Sequence, residues 1–216
     1  MELNNLEKKF TDIYNRNAWK KDESKSGTGS DFANAAKFTP ELISLINSLK
    51  IDNMIDAPCG DFLWMNIVVA NLRIKNYIGV DIVKDMIVFN QKQYGATDKV
   101  HFIQADIVNE ILPKTDLIFC RDCLVHLSYD NIKQVLLNFV ASESKYLLMT
   151  NFTLGIRNKN DIVDGNWRAL NFTLPPFNLP EPISIIKEHC TEDNNKWCDK
   201  SLGLWELSTI ERLMPL

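Results

Sequence analysis

Short apolar runs alternate with amphipathic stretches along most of the chain. The apolar runs predict five strands, near residues 52–56, 77–81, 100–104, 116–120 and 146–150. Between them, apolar residues recur three and four positions apart, which is typical of helices that pack on a sheet. Because the strands are apolar almost throughout rather than at alternate positions, they predict a parallel sheet buried on both faces.

The two ends of the chain depart from this alternation. Residues 2–15 have the spacing of an amphipathic helix, and a polar segment rich in serine and glycine follows at residues 19–30. Thr39 and Pro40 predict the cap and first turn of the next helix. Near the other end, residues 183–186 and 202–207 predict two closing strands. The connection between them lacks a helical period, so we expect an antiparallel hairpin rather than a crossover.

These elements predict an α/β fold. We expect a Rossmann-like seven-stranded, mostly parallel sheet with helices on both faces and an antiparallel C-terminal hairpin. A chain of 216 residues is most simply a single domain. We expect four parts within it, namely an N-terminal helix and Ser/Gly flap (1–38), a cofactor-binding core (39–152), a substrate loop (153–182) and the C-terminal hairpin (183–216). A loop as long as residues 153–182 inside a compact domain is usually functional.

Composition and charge narrow the class of protein. The chain is 45% hydrophobic and 24% charged, as is ordinary for a soluble globular protein, and its net charge is −4. Lys and Arg are not clustered, which disfavours tight binding to a nucleic-acid backbone. No apolar run approaches the ~20 residues that a membrane span needs. The first residues lack the pattern of a secretory signal, and five cysteines fit a reducing compartment, so we expect a cytoplasmic enzyme.

Candidate chemistry begins at the turn after the first strand. Asp56 ends that strand, and Pro58 and Gly60 form a tight turn before the next helix. Asp81 ends the second strand, about 20 positions after the turn, where a carboxylate can accept both hydroxyls of a ribose. A helix N-cap is the alternative role for Asp81. The carboxyl edge of a parallel sheet is where open α/β folds bind ligands, so the sequence predicts a nucleoside-containing cofactor there.

Four motifs in order carry a resemblance to a known family. They are Asp56 with Gly60, then Asp81, then Ala105-Asp106, then Asp116-Leu-Ile. With these, most of the chain resembles the class I S-adenosylmethionine (SAM)-dependent methyltransferases. The chain also resembles a smaller bacterial branch, associated with small-molecule or surface-polysaccharide modification. Four segments carry this resemblance: Trp19 with Glu23-Ser24-x-Ser26-Gly27-x-Gly29-Ser30, Asp56-x-Pro-Cys-Gly-Asp61, Arg121-Asp122-x-Leu-Val-His126 and Pro176-Phe177.

The first turn departs from the family pattern. Where Gly-x-Gly-x-Gly is common, this chain has Pro58, Gly60 and Phe62, so close approach of the backbone is guaranteed only at Gly60. The same departure disfavours a nicotinamide-dependent oxidoreductase, because a dinucleotide site places a pyrophosphate against three glycines.

The resemblance implies SAM as the cofactor and a set of residues around it. Asp81 would accept from the ribose, and Asp106 from the adenine amino group, although a solvated strand-end carboxylate is the alternative for Asp106. Asp56 would hold the methionine end, and Arg121 would border the sulfur. The complete set of implied cofactor contacts is Trp19, Ser24, Ser30, Asp56, Ala57, Pro58, Gly60, Asp61, Trp64, Asp81, Ile82, Asp106, Ile107, Arg121 and Asp122.

His126 is the predicted general base, since it titrates near neutrality and lies just beyond the fourth strand. The alternative is a histidine at a helix start whose ring is satisfied by a backbone carbonyl. Asp122 is the second candidate, as a base or as the group that orients His126. Cys120, Cys123 and His126 also have the spacing of a zinc or redox motif, but a fourth ligand at matching spacing is missing, so we expect no metal.

The loop 153–182 supplies candidate acceptor contacts. Arg157 and Arg168 are predicted to clamp an anionic acceptor, and Asn158, Trp167 and Asn171 suit a ligand rich in hydroxyl groups. Exposure to solvent is the alternative for each of them.

The sequence therefore predicts methyl transfer from SAM to an oxygen or nitrogen of a small, anionic or sugar-linked acceptor, such as a capsule or surface-polysaccharide precursor or a phosphoramidate. The rival functions are a non-catalytic SAM-binding module and a nicotinamide-dependent oxidoreductase. A nucleic-acid methyltransferase is disfavoured, because the chain lacks a basic cluster and an Asn-Pro-Pro-Tyr-type base pocket after the fourth strand.

Overall fold

The computed structural model describes residues 5–19, 23–95, 97–155, 158 and 160–212. The seven strands found in these ranges belong to one sheet, and five of them are those predicted from the apolar runs. The chain divides into two compact units, Met1–Asp106 and Ile107–Leu216, each with its own strands and helices.

The first unit contains three parallel strands in the order β3-β2-β1. They are β1 (Asn53–Asp56), β2 (Asn76–Asp81) and β3 (Val100–Gln104). In this register Asp56 pairs with Gly79 and Asp81 with Gln104. The three strands therefore all end at the same edge, and that edge carries the predicted carboxylates.

The helices of the first unit are α1 (Asn5–Asn15), α2 (Phe32–Ala35), α3 (Thr39–Ser48), α4 (Met65–Asn71) and α5 (Lys84–Tyr94), with a 3₁₀ helix at Thr28–Ser30. The helix predicted over 2–15 is confirmed from Asn5 onward, and residues 2–4 lie outside the described residues. The predicted cap of α3 is wrong. Phe38 occupies the cap position, and Thr39 Oγ1 donates to Ala35 O at 2.8 Å, because its hydroxyl is turned toward the preceding helix.

The second unit contains four strands in the order β4-β5-β7-β6. They are β4 (Leu117–Cys120), β5 (Tyr146–Phe152), β6 (Ser184–Lys187) and β7 (Lys200–Glu206). β4 and β5 are parallel, whereas β7 runs antiparallel to both β5 and β6. The predicted antiparallel C-terminal hairpin is therefore confirmed. The connection between β6 and β7 holds one short helix, α7 (Glu192–Asn195).

The main helix of the second unit is α6 (Tyr129–Ala141), which follows a 3₁₀ helix at Leu124–His126; α8 (Leu207–Glu211) follows β7. Ser128 caps α6, as its hydroxyl accepts from Asn131 N at 3.4 Å. Apolar residues three and four positions apart form the buried face of α6, namely Ile132, Val135, Leu136 and Phe139. None of the helices in the described ranges has the length and hydropathy that crossing a bilayer requires.

Candidate active site

Asp81 is the best-defined candidate ligand in the first unit. Its side chain is buried at the end of β2. Oδ2 accepts from Gly60 N at 3.2 Å, and Oδ1 accepts from Val83 N at 2.9 Å. Burial raises the pKa of Asp81 to about 6, although these backbone donors act in the opposite direction. The N-cap position of α5 is occupied by Val83, without a side-chain cap bond, so Asp81 is not the helix N-cap that the alternative role required.

Asp56 ends β1 and is almost fully buried. Its Oδ2 accepts a 2.6 Å hydrogen bond from Tyr77 Oη on β2. Burial and the negative charge of Asp56 raise the pKa of Tyr77 well above its usual range, so the phenol stays protonated and donates. Sequence analysis missed Tyr77 as a partner because it lies in an apolar run, where a tyrosine is indistinguishable from a core aromatic residue.

The turn after β1 uses left-handed backbone at two positions. Gly60 has φ of +56°, and a Cβ added there would lie 2.4 Å from Ser26 Oγ. Phe62, at the third position of the usual glycine pattern, has φ of +57°. Phe62 precedes α4, and its ring packs 5.0 Å from Tyr77 and 5.1 Å from Phe102, centroid to centroid. A left-handed conformation, which glycine adopts most readily, is thus formed here by a phenylalanine.

The Ser/Gly segment is joined to this turn through Asp61. The carboxylate of Asp61 accepts from Ser24 Oγ and from Lys25 N, both at 2.8 Å. Asp61 N in turn donates to Ser26 Oγ at 2.9 Å. Ser24 is fully buried, and its own N donates to Asp31 Oδ1 at 3.2 Å. The Ser/Gly segment therefore lies on the first turn, and the Asp61 carboxylate, one of the implied cofactor contacts, already accepts from two internal donors.

The other candidate cofactor residues of this unit vary in their surroundings. Trp19 packs near Phe10 with a centroid separation of 5.9 Å, and Trp64 meets Phe38 edge-on at 5.4 Å. Ser30 closes the 3₁₀ helix. Ala57 and Asp106 are buried, and Pro58 and Ile82 are half-buried. Asn90 was missed by sequence analysis: it is buried on α5, and its Nδ2 donates to Gly60 O at 2.7 Å.

In the second unit, Arg121 and Asp122 belong to a buried network of four charges. Arg121 Nη2 and Nε donate to the two carboxylate oxygens of Glu188 at 2.6 and 3.0 Å. Lys200 Nζ lies 2.6 Å from Asp122 Oδ2 and 3.4 Å from Glu188 Oε2. Sequence analysis missed Glu188 and Lys200, which are 67 and 78 positions from their partners. The only signal was a charged residue at the edge of each closing strand.

Asp122 has an unusual backbone and a strongly stabilised charge. Its φ is +52°, and its N donates to Thr150 Oγ1 at 2.8 Å. Burial opposes ionisation, but the cations Lys200 and Arg121 outweigh it and hold the pKa of Asp122 well below its usual range. Asp122 is therefore a fixed anion near neutral pH. That state suits an orienting group better than a proton acceptor.

His126, at the end of the 3₁₀ helix, is held by a carbonyl. Its Nδ1 lies 2.9 Å from Asn166 O. A carbonyl oxygen only accepts, so this contact places the proton on Nδ1 and the lone pair on Nε2. Burial lowers the pKa of His126, with the bond to Asn166 O and the charge of Asp122 acting in the opposite direction. The imidazole is thus neutral near pH 7, as a general base must be.

Two of the predicted acceptor residues hold the loop itself together. Asn158 Nδ2 donates to Pro175 O at 2.8 Å and to Asn171 O at 2.9 Å, and Asn158 Oδ1 accepts from Asn171 N. Asn171 Oδ1 accepts from the N and Oγ1 of Thr173. Arg157 lies outside the described residues. The amide groups expected to meet an acceptor are therefore engaged within the loop.

Arg168 and Trp167 differ in their exposure to solvent. Arg168 is buried, and its Nη1 donates to Leu127 O at 2.8 Å while the guanidinium lies over the ring of Tyr129. Trp167 is 42% exposed and meets Trp197 edge-on with a centroid separation of 4.6 Å. Among the predicted acceptor residues that the structure describes, Trp167 therefore presents the most surface to a ligand. Its neighbour Trp197 was not identified from the sequence.

The motif of Cys120, Cys123 and His126 does not form a metal cluster among the described residues, where no group of three or more His, Cys, Asp or Glu side chains is placed to hold a metal ion. Cys120 is buried in β4, and the five cysteines, all of which lie in the described ranges, form no disulfide bonds. Ile107, the last of the candidate cofactor residues, is half-buried just after β3.

This strand order and these strand-end carboxylates define a class of fold. The chain has the fold of the class I SAM-dependent methyltransferases, as its likeness to solved structures shows. No protein-family model matches the chain, and no curated protein matches it by sequence.

Three solved structures illustrate the likeness. Phosphoethanolamine N-methyltransferase 1 of Haemonchus contortus, in complex with phosphoethanolamine and S-adenosylhomocysteine, superposes with a TM-score of 0.69 at 13% identity. All of this chain is covered, but it spans only about half (54%) of that protein. NodS, an N-methyltransferase of Bradyrhizobium japonicum in complex with S-adenosylhomocysteine, gives 0.65 at 14% identity over 91% of this chain and 97% of NodS. Human N-acetylserotonin methyltransferase with SAM gives 0.64 at 12% identity, covering 94% of this chain and 59% of that one.

Proposed function

We propose that this chain is a SAM-dependent methyltransferase of the cytoplasm that methylates an oxygen or nitrogen of a small acceptor. The observation that carries the proposal is Asp81, a buried carboxylate at the end of β2 whose Oδ2 accepts from Gly60 N and whose Oδ1 accepts from Val83 N. Those bonds fix its orientation, and each carboxylate oxygen retains capacity to accept a further hydrogen bond. This is the arrangement that the two hydroxyls of a ribose require.

The buried, ionised carboxylate of Asp81 gains stability from hydroxyl groups that donate hydrogen bonds to it. Burial makes the ionised state of Asp81 costly, which is why its pKa is raised to about 6. Two additional donors from a ribose would offset that cost, and hydrogen bonds to charged groups contribute about 1.5–3 kcal/mol each. A nucleoside bound at Asp81 would therefore stabilise a negative charge whose burial destabilises the free protein.

The remaining contacts follow from the resemblance together with the geometry. Asp106 would accept from the adenine amino group, with Ile82 and Ile107 at the ring. Gly60 lacks a side chain where one would clash with Ser26, so glycine is required there by the packing of the Ser/Gly segment on the turn, and the resemblance would place this turn at the methionine end of the cofactor. Asp56 would favour the positively charged amino group at that end.

For the transfer itself, SAM supplies a methyl group on a positively charged sulfur, and the chain aligns the acceptor and removes its proton. We assign the proton to His126 Nε2, since the bond from Nδ1 to Asn166 O leaves the lone pair on that nitrogen. A positioned base contributes about 10²–10⁴-fold to such a reaction. Asp122, held as an anion by Lys200 and Arg121, would stabilise the imidazolium that forms.

The acceptor is proposed to be small and anionic or sugar-linked, such as a surface-polysaccharide precursor or a phosphoramidate. The Haemonchus structure binds phosphoethanolamine, which combines a phosphate with a primary amine, and this supports the choice of class. In this chain, the exposed ring of Trp167 is the surface that we assign to the acceptor. Arg168 contributes from a buried position, through its charge rather than through surface contact.

The proposal is tested by calorimetric titration of the full chain with S-adenosylhomocysteine. Asp81→Ala removes two charge-assisted hydrogen bonds to the ribose, so we expect the Kd to rise about 100-fold or more. Asp52→Ala is the matched control, because it removes an exposed carboxylate, paired with Lys75, from the opposite end of β1. That variant should bind like the wild type.

Two results would contradict the proposal. Unchanged affinity in Asp81→Ala would remove the ribose assignment, and binding of NAD in preference to S-adenosylhomocysteine would favour the oxidoreductase. A non-catalytic SAM-binding protein would pass the calorimetric test. It would then release no S-adenosylhomocysteine from SAM with any acceptor in a panel of amines, phosphorylated amines and sugar phosphates.

A further inference from the structure

The residues just before and within the first turn of α6 are joined to the predicted substrate loop by backbone hydrogen bonds. Gly165 N donates to His126 O at 2.8 Å, and Arg168 N donates to Val125 O at 3.1 Å. His126 takes part twice, since its own ring bonds to Asn166 O. The candidate base is thus held by the same turn of the loop from two sides.

Carboxylates of the loop fix this turn in place. Asp164 Oδ1 accepts from Ser128 N at 2.6 Å, and Asp164 Oδ2 accepts from Asn131 Nδ2 at 3.0 Å. Asp161 Oδ1 accepts from Tyr129 N at 2.8 Å. These backbone donors have no partner within α6, and the positive end of the helix favours a negative charge there. The helix start is therefore an anion-binding position that the loop fills with its own side chains.

The geometry points to Asp164 as a positioning residue for His126. We propose that Asp164, by binding the start of α6, holds the turn at residues 163–166 so that Asn166 O selects the ring tautomer with its proton on Nδ1. Asp164 is two residues from Asn166, and Asn166 N donates to Val163 O at 3.1 Å, so the carboxylate and the carbonyl belong to one turn. That the selected tautomer is the catalytic one rests on the proposed function. That Asp164 selects this tautomer does not rest on it.

Other charges face His126 and must be separated from this effect. Asp122 favours the protonated imidazole, whereas Lys200 and Arg168 oppose it, as does burial. These groups shift the pKa of the imidazole, and they act on both ring nitrogens. A hydrogen bond from one nitrogen to a carbonyl is what distinguishes the two neutral tautomers. The tautomer is therefore the readout that isolates the role of Asp164.

The test is nitrogen NMR of the full chain labelled at histidine, recorded above the titration of the imidazole. In the wild type, we expect His126 to show one protonated nitrogen, Nδ1, and an unprotonated Nε2. In Asp164→Ala the turn loses both side-chain bonds to α6, so the His126 signals should move toward the averaged positions of two exchanging tautomers. His101 and His189 serve as internal references whose signals should not change.

Two further variants make the result decisive. Asn131→Ala removes only the bond to Asp164 Oδ2 and places a good helix former in α6, so it decides the question if Asp164→Ala does not fold. It should show a smaller shift in the same direction. Asp130→Ala removes an exposed carboxylate from the same turn of α6 and should leave the tautomer unchanged. The proposal is overturned if folded Asp164→Ala and Asn131→Ala both keep the wild-type tautomer.

Kinetics connect the tautomer to methyl transfer. With an acceptor that the wild type methylates, Asp164→Ala should lower kcat about 10-fold, a part of the 10²–10⁴-fold that a positioned base supplies, while the KM for SAM stays unchanged. Failure of every acceptor would count against the proposed function alone, because the NMR result is independent of turnover. An altered tautomer with full kcat would instead show that Asp164 positions His126 and that His126 is not the base.

Discussion

Asp81 is buried and Asp122 is half-buried, both near the ends of strands, yet their acidities shift in opposite directions. Backbone N–H groups hold Asp81 but do not outweigh the cost of burying its charge, so its pKa rises to about 6. Asp122 lies beside Lys200 and Arg121, and full positive charges reverse the effect of burial. Near neutral pH, a proton is thus easily returned to Asp81 but not to Asp122.

This difference predicts how stability depends on pH. Because the folded-state pKa of Asp81 is above its usual value of 3.8, the folded state holds the proton more tightly, and stability falls as pH rises through the interval from about 4 to 6. Relative to Asp81→Asn, the wild type should lose about 2 kcal/mol of unfolding free energy between pH 4.5 and pH 7. Urea unfolding of both proteins at the two pH values measures the difference, in which other titrating groups cancel. An identical pH dependence for the two proteins would contradict the raised pKa.

The raised pKa of Asp81 also predicts how the affinity for the cofactor depends on pH, and the trend is opposite to that of stability. A ribose donates to the ionised carboxylate, so it binds best when Asp81 has lost its proton. Affinity for S-adenosylhomocysteine should therefore weaken as the pH falls below about 6 in the wild type.

At the scale of elements, the hairpin of β6 and β7 brings two charged side chains to the end of β4. Glu188 follows β6 and Lys200 begins β7, and together they surround Arg121 and Asp122 with bonds of 2.6–3.4 Å. The apolar pattern predicted both strands and their antiparallel pairing. It contains no information on which distant charge meets which, because a buried ion pair depends on register and sheet order rather than on local spacing.

Loss of one member of this network should be costly. Lys200→Met leaves Asp122 and Glu188 with one cation fewer in a buried setting, and breaking such a pair typically costs about 3–5 kcal/mol. Lys114→Met is the control, since Lys114 and Glu143 form an exposed pair at 3.2 Å that is worth about 0–1 kcal/mol. Denaturant unfolding of the two variants compares them directly. Equal, small losses would show that the network does not stabilise the second unit.

The loop of the second unit marks the limit of prediction from sequence at this scale. Its polar residues were assigned to an acceptor because they are dense in a long loop. In the structure, Asn158 and Asn171 bond to the loop backbone, and Asp161 and Asp164, which were not singled out, bond to α6. Amides and carboxylates in a loop serve equally well for a ligand or for the loop itself, and only the fold distinguishes these uses.

For the whole molecule, the strand pattern predicted the fold class, and the order of strand-end carboxylates predicted the cofactor class. The fold class depends on periodicity, and the chain shares its fold with solved structures at only 12–14% identity. The acceptor depends on individual side chains on a long loop, and neither pattern nor fold specifies those.

Cofactor binding should stabilise the whole chain. At a concentration of S-adenosylhomocysteine 100 times its Kd, linkage adds about 2.7 kcal/mol, which corresponds to a rise of about 5–10 °C in Tm for a chain of this size. Differential scanning fluorimetry measures the shift. NAD at the same concentration should have no effect, and Asp81→Ala should lose most of the response. A shift of equal size with NAD would argue against a cofactor site specific for SAM.

Phe62 has a consequence for how such proteins are found. A motif written in letters asks for glycine at that place and passes over this chain, yet the backbone there has the left-handed conformation that glycine allows, and the ring packs against Tyr77 and Phe102. Searching on backbone torsion instead of residue type would gather relatives that have exchanged flexibility at this corner for an aromatic anchor.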